Sequence, residues 1–434
     1  MIKEIEFEHD ILGNIKFSFL KPDGSPYKNV VFAGENGSGK TTILKVLMEA
    51  YKNKRFYGLE KIKYCIDNKD YSISKSNDER EVIYNSDSIK DGHYFISLSD
   101  RYPENFFFGF GLVYSKARSG FNTGQISSVT GNILNKSNVD LDEDNYTDIK
   151  QLLIDINSMD ANDFQEYARK NTDNPFEKFN KTRRIYRFQK AFNSFFDVLE
   201  FEKIGNPING KFPIIFKKYG KEIDIDNLST GEQQIVFRGG RLLKNIDVLN
   251  NSTILIDEPE LSLHPRWQKK IFSFYKNLFL ENGNQKAQLI IATHSVFVIE
   301  EALKDPDTLV ILLKNESGTI SPKTIFAPTK LDYISSAEVN FEAFGVCGID
   351  YLTALYGKYA LQKGKSSIKS IDDCIISESR YDQSIHKKIY NFGTKTFNSL
   401  PTYIRNCIDH PDLIHQYTDE ELKIAILLLR DIII

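Results

Sequence analysis

The chain has 434 residues, of which 41% are hydrophobic and 26% charged, as in an ordinary soluble globular protein. Its length predicts two or three subdomains, and its formal net charge of −3 excludes a protein-wide basic field for nucleic acid. Four scattered cysteines without C-x-x-C spacing predict reduced thiols. No signal-peptide pattern and no apolar run of about 18 residues occurs, so we expect a cytoplasmic protein without a membrane span.

Residues 2–33 alternate apolar and polar side chains, which predicts strands leading into Gly34–Thr42. This segment reads GENGSGKTT and matches the complete phosphate-binding pattern G-x-x-x-x-G-K-[ST]. Residues 28–34 predict a buried strand before it and residues 41–51 a helix after it. The alternative is a tight strand–helix turn that binds nothing, but the coincidence of motif and context favours phosphate binding.

The glycines allow backbone N–H groups to surround phosphate oxygens, and the helix N-terminus adds a positive dipole end. We expect Lys40 to reach the β- and γ-phosphates of ATP and the Thr41 hydroxyl to bind Mg²⁺. The remaining loop contacts with the nucleotide are expected from Asn36, Gly37, Ser38, Gly39 and Thr42.

Short strands are predicted beyond the loop, at 61–65, 71–74, 81–84, 94–97 and 106–114. Residues 126–200 change character. Polar helical patterns at 148–156, 161–170 and 183–199 predict a helical lobe inserted in an α/β domain, with an acidic loop at 137–147. The basic segment 181–190 is typical of a solvated helix face, although it could contact a nucleic-acid backbone. Strands return at 213–219 and 221–226.

Residues 228–234 read LSTGEQQ and predict the start of a helix that runs to about Val248. Ser229 is a plausible N-cap, and Glu232 three residues later completes a capping box. A hydroxyl and free N–H groups at a helix N-terminus also suit a γ-phosphate. Together with the phosphate loop, this segment resembles the signature motif of ABC-type ATPases.

Two apolar strands end in chemically active side chains. The strand at 252–257 ends in Asp257, which we expect in the Mg²⁺ shell, and Glu258 follows to orient or deprotonate the attacking water. The strand at 289–293 precedes His294, which is either structural or, as in ABC-type ATPases, a switch histidine that contacts the γ-phosphate. His264 lies either in a loop that crosses between subunits or merely at the start of a helix.

The phosphate loop, the signature segment, the two acids and the histidine stand in the order found in ABC-type ATPases, so residues 1 to about 300 resemble that family. The strings EPELSLHP (258–265) and ATHS (292–295) resemble its overcoming-lysogenization-defect branch. The resemblance implies an α/β P-loop NTPase head, with a mixed sheet that includes antiparallel strands and a helical lobe. It also implies head-to-tail dimers, in which Ser229, Gly231 and Glu232 of one copy complete the ATP site at Lys40 of another. The chain departs from the family pattern in two places. Thr230 replaces the first signature glycine, and the candidate for the family's glutamine, Gln125, does not stand in the usual sequence context.

The segment after the head lacks the acidic pattern of a TOPRIM nuclease, because no acid stands at the tip of the predicted strand 309–314. The segments 338–344 and 351–357 follow, then a helical pattern at 384–397 and the segment 400–411. A capping box at Thr418 precedes an apolar helix that suits a core or a subunit contact. This tail is similar to the PtuA family of ATPase subunits in Septu-type and retron-associated antiphage systems. That resemblance implies a separate HNH nuclease (PtuB-like), nucleic acid reached through the complex, and oligomers beyond a dimer.

We therefore expect an ATPase head in two parts, 1–125 and 201–325, with a helical insert at 126–200. A mainly α-helical C-terminal region at 326–434 would serve assembly or partner binding. One alternative is a self-contained HEPN-like ribonuclease using Arg405 and His410, which match the R-N-x-x-x-H pattern. A DNA-repair ATPase of the SMC type would need sustained heptads between Lys40 and Ser229, which are not found, and a transporter motor would need a membrane partner.

Overall fold

Alternating apolar residues at the start of the chain form the first strands of a six-stranded antiparallel sheet, in the order β2-β1-β4-β5-β6-β7. Its strands are β1 (Ile2–His9), β2 (Gly13–Ser18), β4 (Leu59–Ile66), β5 (Lys69–Lys75), β6 (Glu81–Ser86) and β7 (Tyr94–Ser97). The computed structural model describes residues 1–53, 56–75, 81–86, 94–97, 111–117, 124–129, 139–140, 146–170, 179, 183–244, 252–281, 283–316, 318–326 and 328–434. These residues divide into two compact units, Met1–Lys323 and Thr324–Ile434.

The second sheet of the first unit has seven strands in the order β18-β17-β3-β16-β13-β8-β9. They are β3 (Asn29–Ala33), β8 (Leu112–Ser115), β9 (Val139–Asp140), β13 (Thr253–Asp257), β16 (Gln288–Thr293), β17 (Thr308–Glu316) and β18 (Thr319–Ile325). The central strands pair in parallel and are buried along their whole length, which explains their continuous apolar runs. Helix α1 (Lys40–Asn53) packs Ile43, Leu44 and Leu47 into a core shared with both sheets.

The remaining elements of this unit are helices, a three-stranded antiparallel sheet and a separate two-stranded antiparallel sheet. They are α2 (Thr147–Lys170), α3 (Arg184–Phe195), β10 (Leu199–Ile204), β11 (Ile214–Lys218), β12 (Lys221–Asp224), α4 (Thr230–Gln233), a π-helical turn (Gln234–Arg238), α5 (Gly239–Lys244), α6 (Pro265–Leu278), β14 (Leu280–Glu281), β15 (Asn284–Gln285) and α7 (Val296–Leu303). The mixed α/β fold of an ABC-type ATPase head is thus confirmed.

The two helices predicted at 148–156 and 161–170 form one continuous helix, α2. The polar residues between them do not break it, because Asp160 is buried and accepts a hydrogen bond from the Ile185 N–H at 3.0 Å. Val139–Asp140 of the predicted acidic loop pairs with β8. Parts of four predicted segments lie outside the described residues: strand residues 106–110, most of the loop 137–147, the start of the basic segment at 181–182, and the helix end near Val248.

The second unit is mainly helical, and the final helix lies in its core. Its elements are α8 (Ser336–Phe344), α9 (Ile349–Gln362), α10 (Ile368–Ser377), α11 (Gln383–His386), β19 (Lys387–Phe392), β20 (Lys395–Ser399), α12 (Leu400–Asp409) and α13 (Asp419–Ile432). The capping box predicted at Thr418 is confirmed, since Thr418 and Glu421 bond each other's backbone N–H groups. Within the described ranges, no helix has the length and apolar content that crossing a bilayer requires.

The helix predicted over 384–397 is wrong, because most of this segment is the hairpin β19–β20. The apolar residues with helical spacing, Ile385, Ile389 and Phe392, are about half exposed, while Tyr390 and Phe397 are buried opposite each other. Gly393 reverses the chain with φ +59°. A tight turn with φ above zero is available to glycine at no steric cost, so the hairpin that buries both aromatics prevails over helical spacing.

Candidate functional site

The phosphate loop joins β3 to α1 and encloses the Lys40 side chain. Lys40 is 5% exposed, and its Nζ donates to the carbonyl oxygens of Gly34 at 2.9 Å and Glu35 at 2.7 Å. Burial lowers the pKa of the Lys40 ammonium below its usual range, and the nearby carboxylates, Glu258 first, only partly oppose this effect. The ammonium therefore lies inside the curve of the loop, where Lys residues of P-loops meet phosphate oxygens.

Glycine is sterically required in this loop. Gly39 has φ +90°, and a β-carbon there would lie 2.7 Å from the side chains of both Ile320 and Leu12. A β-carbon on Gly34 would lie 2.5 Å from the Leu313 carbonyl oxygen. The backbone thus approaches the neighbouring strand more closely than any side chain would allow.

Parallel pairing brings the ends of β3, β16 and β13 to one edge of the sheet. Thr293 pairs with Ala33, and Asp257 pairs with Ala292. At this edge the Thr41 hydroxyl donates to Asp257 Oδ1 at 3.0 Å. Burial raises the pKa of Asp257 to about 6, against the effect of the Thr41 hydrogen bond. A hydroxyl and a carboxylate are the hard oxygen donors that Mg²⁺ takes beside phosphate and water, so the pair fits that ion.

Glu258 and His294 lie side by side at the same edge. Glu258 has φ +43°, an uncommon conformation for a residue with a side chain, and its N–H donates to the Ala292 carbonyl oxygen at 2.9 Å. His294 Nδ1 lies 3.6 Å from Glu258 Oε1, and both side chains remain partly exposed. A carboxylate and an imidazole held together beside Lys40 can orient water and contact a phosphate.

Arg238 and the side chain of Glu260 have no role predicted from the sequence. Arg238 is 1% exposed and donates four hydrogen bonds, to Ser115 Oγ at 2.9 Å, Ser115 O at 2.9 Å, Asp257 O at 2.8 Å and Glu258 O at 3.2 Å. It ties the helix after the signature to the strand end that carries the two acids. The sequence did contain a signal for Arg238, because this arginine is the charged residue in the otherwise apolar stretch 235–239.

The signature segment begins α4, as predicted. The buried carboxylate of Glu232 accepts from the Ser229 backbone N–H and the Ser229 hydroxyl, at 2.8 Å each, and pairs with Lys218 at 2.7 Å. Although burial raises the pKa of Glu232, Lys218 and Ser229 hold it below its usual value. Ser229 and Thr230 are exposed, whereas a β-carbon on Gly231 would lie 2.9 Å from the Ser262 carbonyl oxygen. Glu232 thus shapes the segment, and Ser229 faces solvent.

His264 and Gln125 are two further residues singled out from the sequence. His264 is the N-cap of α6, where its Nδ1 accepts from the Arg266 N–H at 3.2 Å. Within this chain it therefore caps a helix, which was one of the two predicted alternatives. Gln125 lines a cavity of about 360 Å³ together with Lys150 and Asp226, next to the signature segment.

The two residues of the ribonuclease pattern make separate contacts. Arg405 pairs with Asp409 at 2.8 Å, and its guanidinium lies 5.7 Å from the centre of the Tyr356 ring. His410 stacks on Phe392, with ring centres 4.7 Å apart. Each side chain thus has a partner of its own within the second unit.

The fold and the site resemble those of a P-loop ATPase head of the ABC type. A sequence profile described as "AAA domain, putative AbiEii toxin, Type IV TA system" matches residues 109–300, which include the signature segment, both acids and His294. The chain resembles Septu protein PtuA of Bacillus thuringiensis, with 31% identity over 102 residues, 21% of this chain and 24% of that protein. It is also 31% identical over 114 residues to the retron Vc95 probable ATPase of Vibrio cholerae, 24% of this chain and 21% of that protein.

The matched segments thus span about a quarter or less of either relative's length. Among solved structures, the SMC head domain from Thermotoga maritima covers 75% of this chain and 98% of its own length, with 13% identity and a TM-score of 0.39. An Smc head domain derived from Pyrococcus furiosus, bound to the C-terminal domain of ScpA, gives 12% identity, 75% and 96% coverage and a TM-score of 0.39. These identities and TM-scores are too low to indicate a shared function.

Proposed function

We propose that this chain is the ATP-binding and ATP-hydrolysing subunit of an antiphage defence complex. The observation that carries the proposal is the meeting of Lys40, Thr41, Asp257, Glu258 and His294 at one edge of a parallel sheet. In open α/β sheets, ligands bind outside the carboxyl ends of the strands. The resemblance to PtuA and to the retron ATPase supports the defence setting.

In this proposal the phosphate loop binds the nucleotide, and each site residue has one task. Lys40 neutralises charge on the β- and γ-phosphates, while Thr41 and Asp257 would hold Mg²⁺, which stabilises charge on the phosphates when bound. Glu258 orients the attacking water and accepts its proton, and His294 contacts the γ-phosphate. Asn36, Gly37, Ser38, Gly39 and Thr42 line the nucleotide.

Two copies would close head to tail around ATP. Ser229 is exposed at the N-terminus of α4, so its hydroxyl and the free N–H groups there can reach a γ-phosphate bound to a second copy. Gly231 and Glu232 keep that segment in shape. Assemblies beyond the dimer and an HNH nuclease supplied by another chain (PtuB-like) follow from the resemblance to PtuA, with the helical region 326–434 as the surface for assembly or partner binding. Nucleic acid would be reached through the complex.

The experiment is the native mass of the purified chain with and without ATP and Mg²⁺, alone and co-expressed with the product of the neighbouring gene. The proposal predicts ATP turnover and an assembly larger than a dimer that retains a small HNH protein. A matched Ser229→Ala variant should lose ATP-dependent association while keeping binding of a fluorescent ATP analogue. A chain without turnover or nucleotide binding would refute the ATPase. A dimer that ignores the neighbour would refute only the nuclease partnership.

A further inference from the structure

The turn after β13 directs a third acidic side chain, Glu260, back under the end of β16. Its carboxylate is 3% exposed. Glu260 Oε1 accepts from the Thr293 hydroxyl at 2.7 Å and from the His294 backbone N–H at 2.9 Å. The same oxygen lies 3.4 Å from His294 Nδ1, closer than the oxygen of Glu258.

One oxygen of the Glu260 carboxylate contacts both the backbone and the ring of His294. Its second oxygen, Oε2, is buried without a hydrogen-bond partner among the described residues. A buried carboxylate is costly unless both oxygens are satisfied, and a glutamine could accept the same two hydrogen bonds from Thr293 and His294. The charge itself therefore serves a neighbour, and His294 Nδ1, at 3.4 Å, is a side-chain nitrogen in direct contact with it.

We propose that Glu260 is the positioning residue for His294 in the ATPase reaction; this inference rests on the proposed function. Glu260 fixes the backbone of His294 through the N–H and faces its ring at Nδ1. A carboxylate at one ring nitrogen sets the tautomer and turns the other nitrogen away from it. Glu260 thereby presents His294 Nε2 to the γ-phosphate without touching the nucleotide itself.

The test compares the full chain with Glu260→Gln, His294→Ala and the double variant in steady-state ATP turnover. Glu260→Gln should lower kcat by about 10- to 100-fold while KM for ATP stays within about threefold, since positioning affects the transition state more than binding. The double variant should be no slower than His294→Ala alone, because Glu260 acts through that ring. Glu301→Gln, which changes a surface acid paired with Lys304, is the matched control.

An unchanged kcat in Glu260→Gln, or a double-variant loss equal to the product of the single losses, would overturn the proposal. Should Glu260→Gln fail to fold, Thr293→Val replaces it, because it removes one donor to the same carboxylate and preserves side-chain shape.

A second readout does not depend on turnover. The His294 imidazole ¹⁵N signals, assigned among the seven histidines by their loss in His294→Ala, should shift in Glu260→Gln and not in Glu301→Gln. Unchanged signals would refute the Glu260–His294 contact. A wild-type chain without turnover would instead refute the proposed function.

Discussion

Replacing Arg238 by alanine should destabilise the N-terminal unit strongly. The guanidinium is 1% exposed and donates four hydrogen bonds, three of them buried, to Ser115 of β8 and to the carbonyl groups of Asp257 and Glu258 at the end of β13. At about 1.5 kcal/mol each the bonds would sum to about 6 kcal/mol, but the guanidinium regains its hydration and such contributions are not additive. We therefore expect the free energy of unfolding to fall by about 3–5 kcal/mol.

The assay is urea unfolding followed by the fluorescence of Trp267, the only tryptophan of the chain, which packs against Phe195 and Phe196 in the same unit. Arg238→Lys should be intermediate, because an ammonium cannot reproduce the fork of donors. The exposed Arg266→Ala should change stability by less than about 0.5 kcal/mol. A loss under about 1 kcal/mol in Arg238→Ala would refute the reasoning, since the buried carbonyl groups would then need no such donor.

Four further predictions concern single residues. Lys40→Ala should weaken ATP binding, measured by calorimetry, because the phosphates lose their main side-chain charge; wild-type affinity would contradict the site. Glu258→Gln should bind ATP but lower kcat by about 10²–10⁴-fold, and unchanged turnover would place the base elsewhere. Gly39→Ala should cost about 1–3 kcal/mol in stability and reduce ATP affinity, whereas Gly357→Ala, inside helix α9 with open space around it, should not. Burial lowers the pKa of His386 below its usual 6.5, so the unfolded chain binds the proton more readily and stability should fall below about pH 6.5. The thermal midpoint should therefore drop more in wild type than in His386→Gln when the pH is lowered from about 7.5 to about 5.5, and an equal drop would contradict this prediction.

Long-range pairing explains why some elements and contacts could not be predicted. The sequence identified the strands around the phosphate loop because their apolar runs and alternation are local patterns. It did not identify the hairpin β19–β20, since Tyr390 and Phe397 become a buried pair only when the chain reverses at Gly393. It also assigned no side-chain role to Arg238 and Glu260, whose partners lie up to 123 residues away in the chain.

The sequence alone predicted the α/β class and the chemistry proposed for this protein: a phosphate loop at Lys40, and a hydroxyl and an acid suited to Mg²⁺. Each of these features depends on residue types at short spacing, which can be recognised in the sequence without knowledge of the fold. The tertiary structure decided which side chains meet, because parallel pairing of β3, β16 and β13 brings distant strand ends to one edge. It also decided which polar groups are buried, because Glu232, Arg238 and Glu260 lose contact with water only when the elements pack over them.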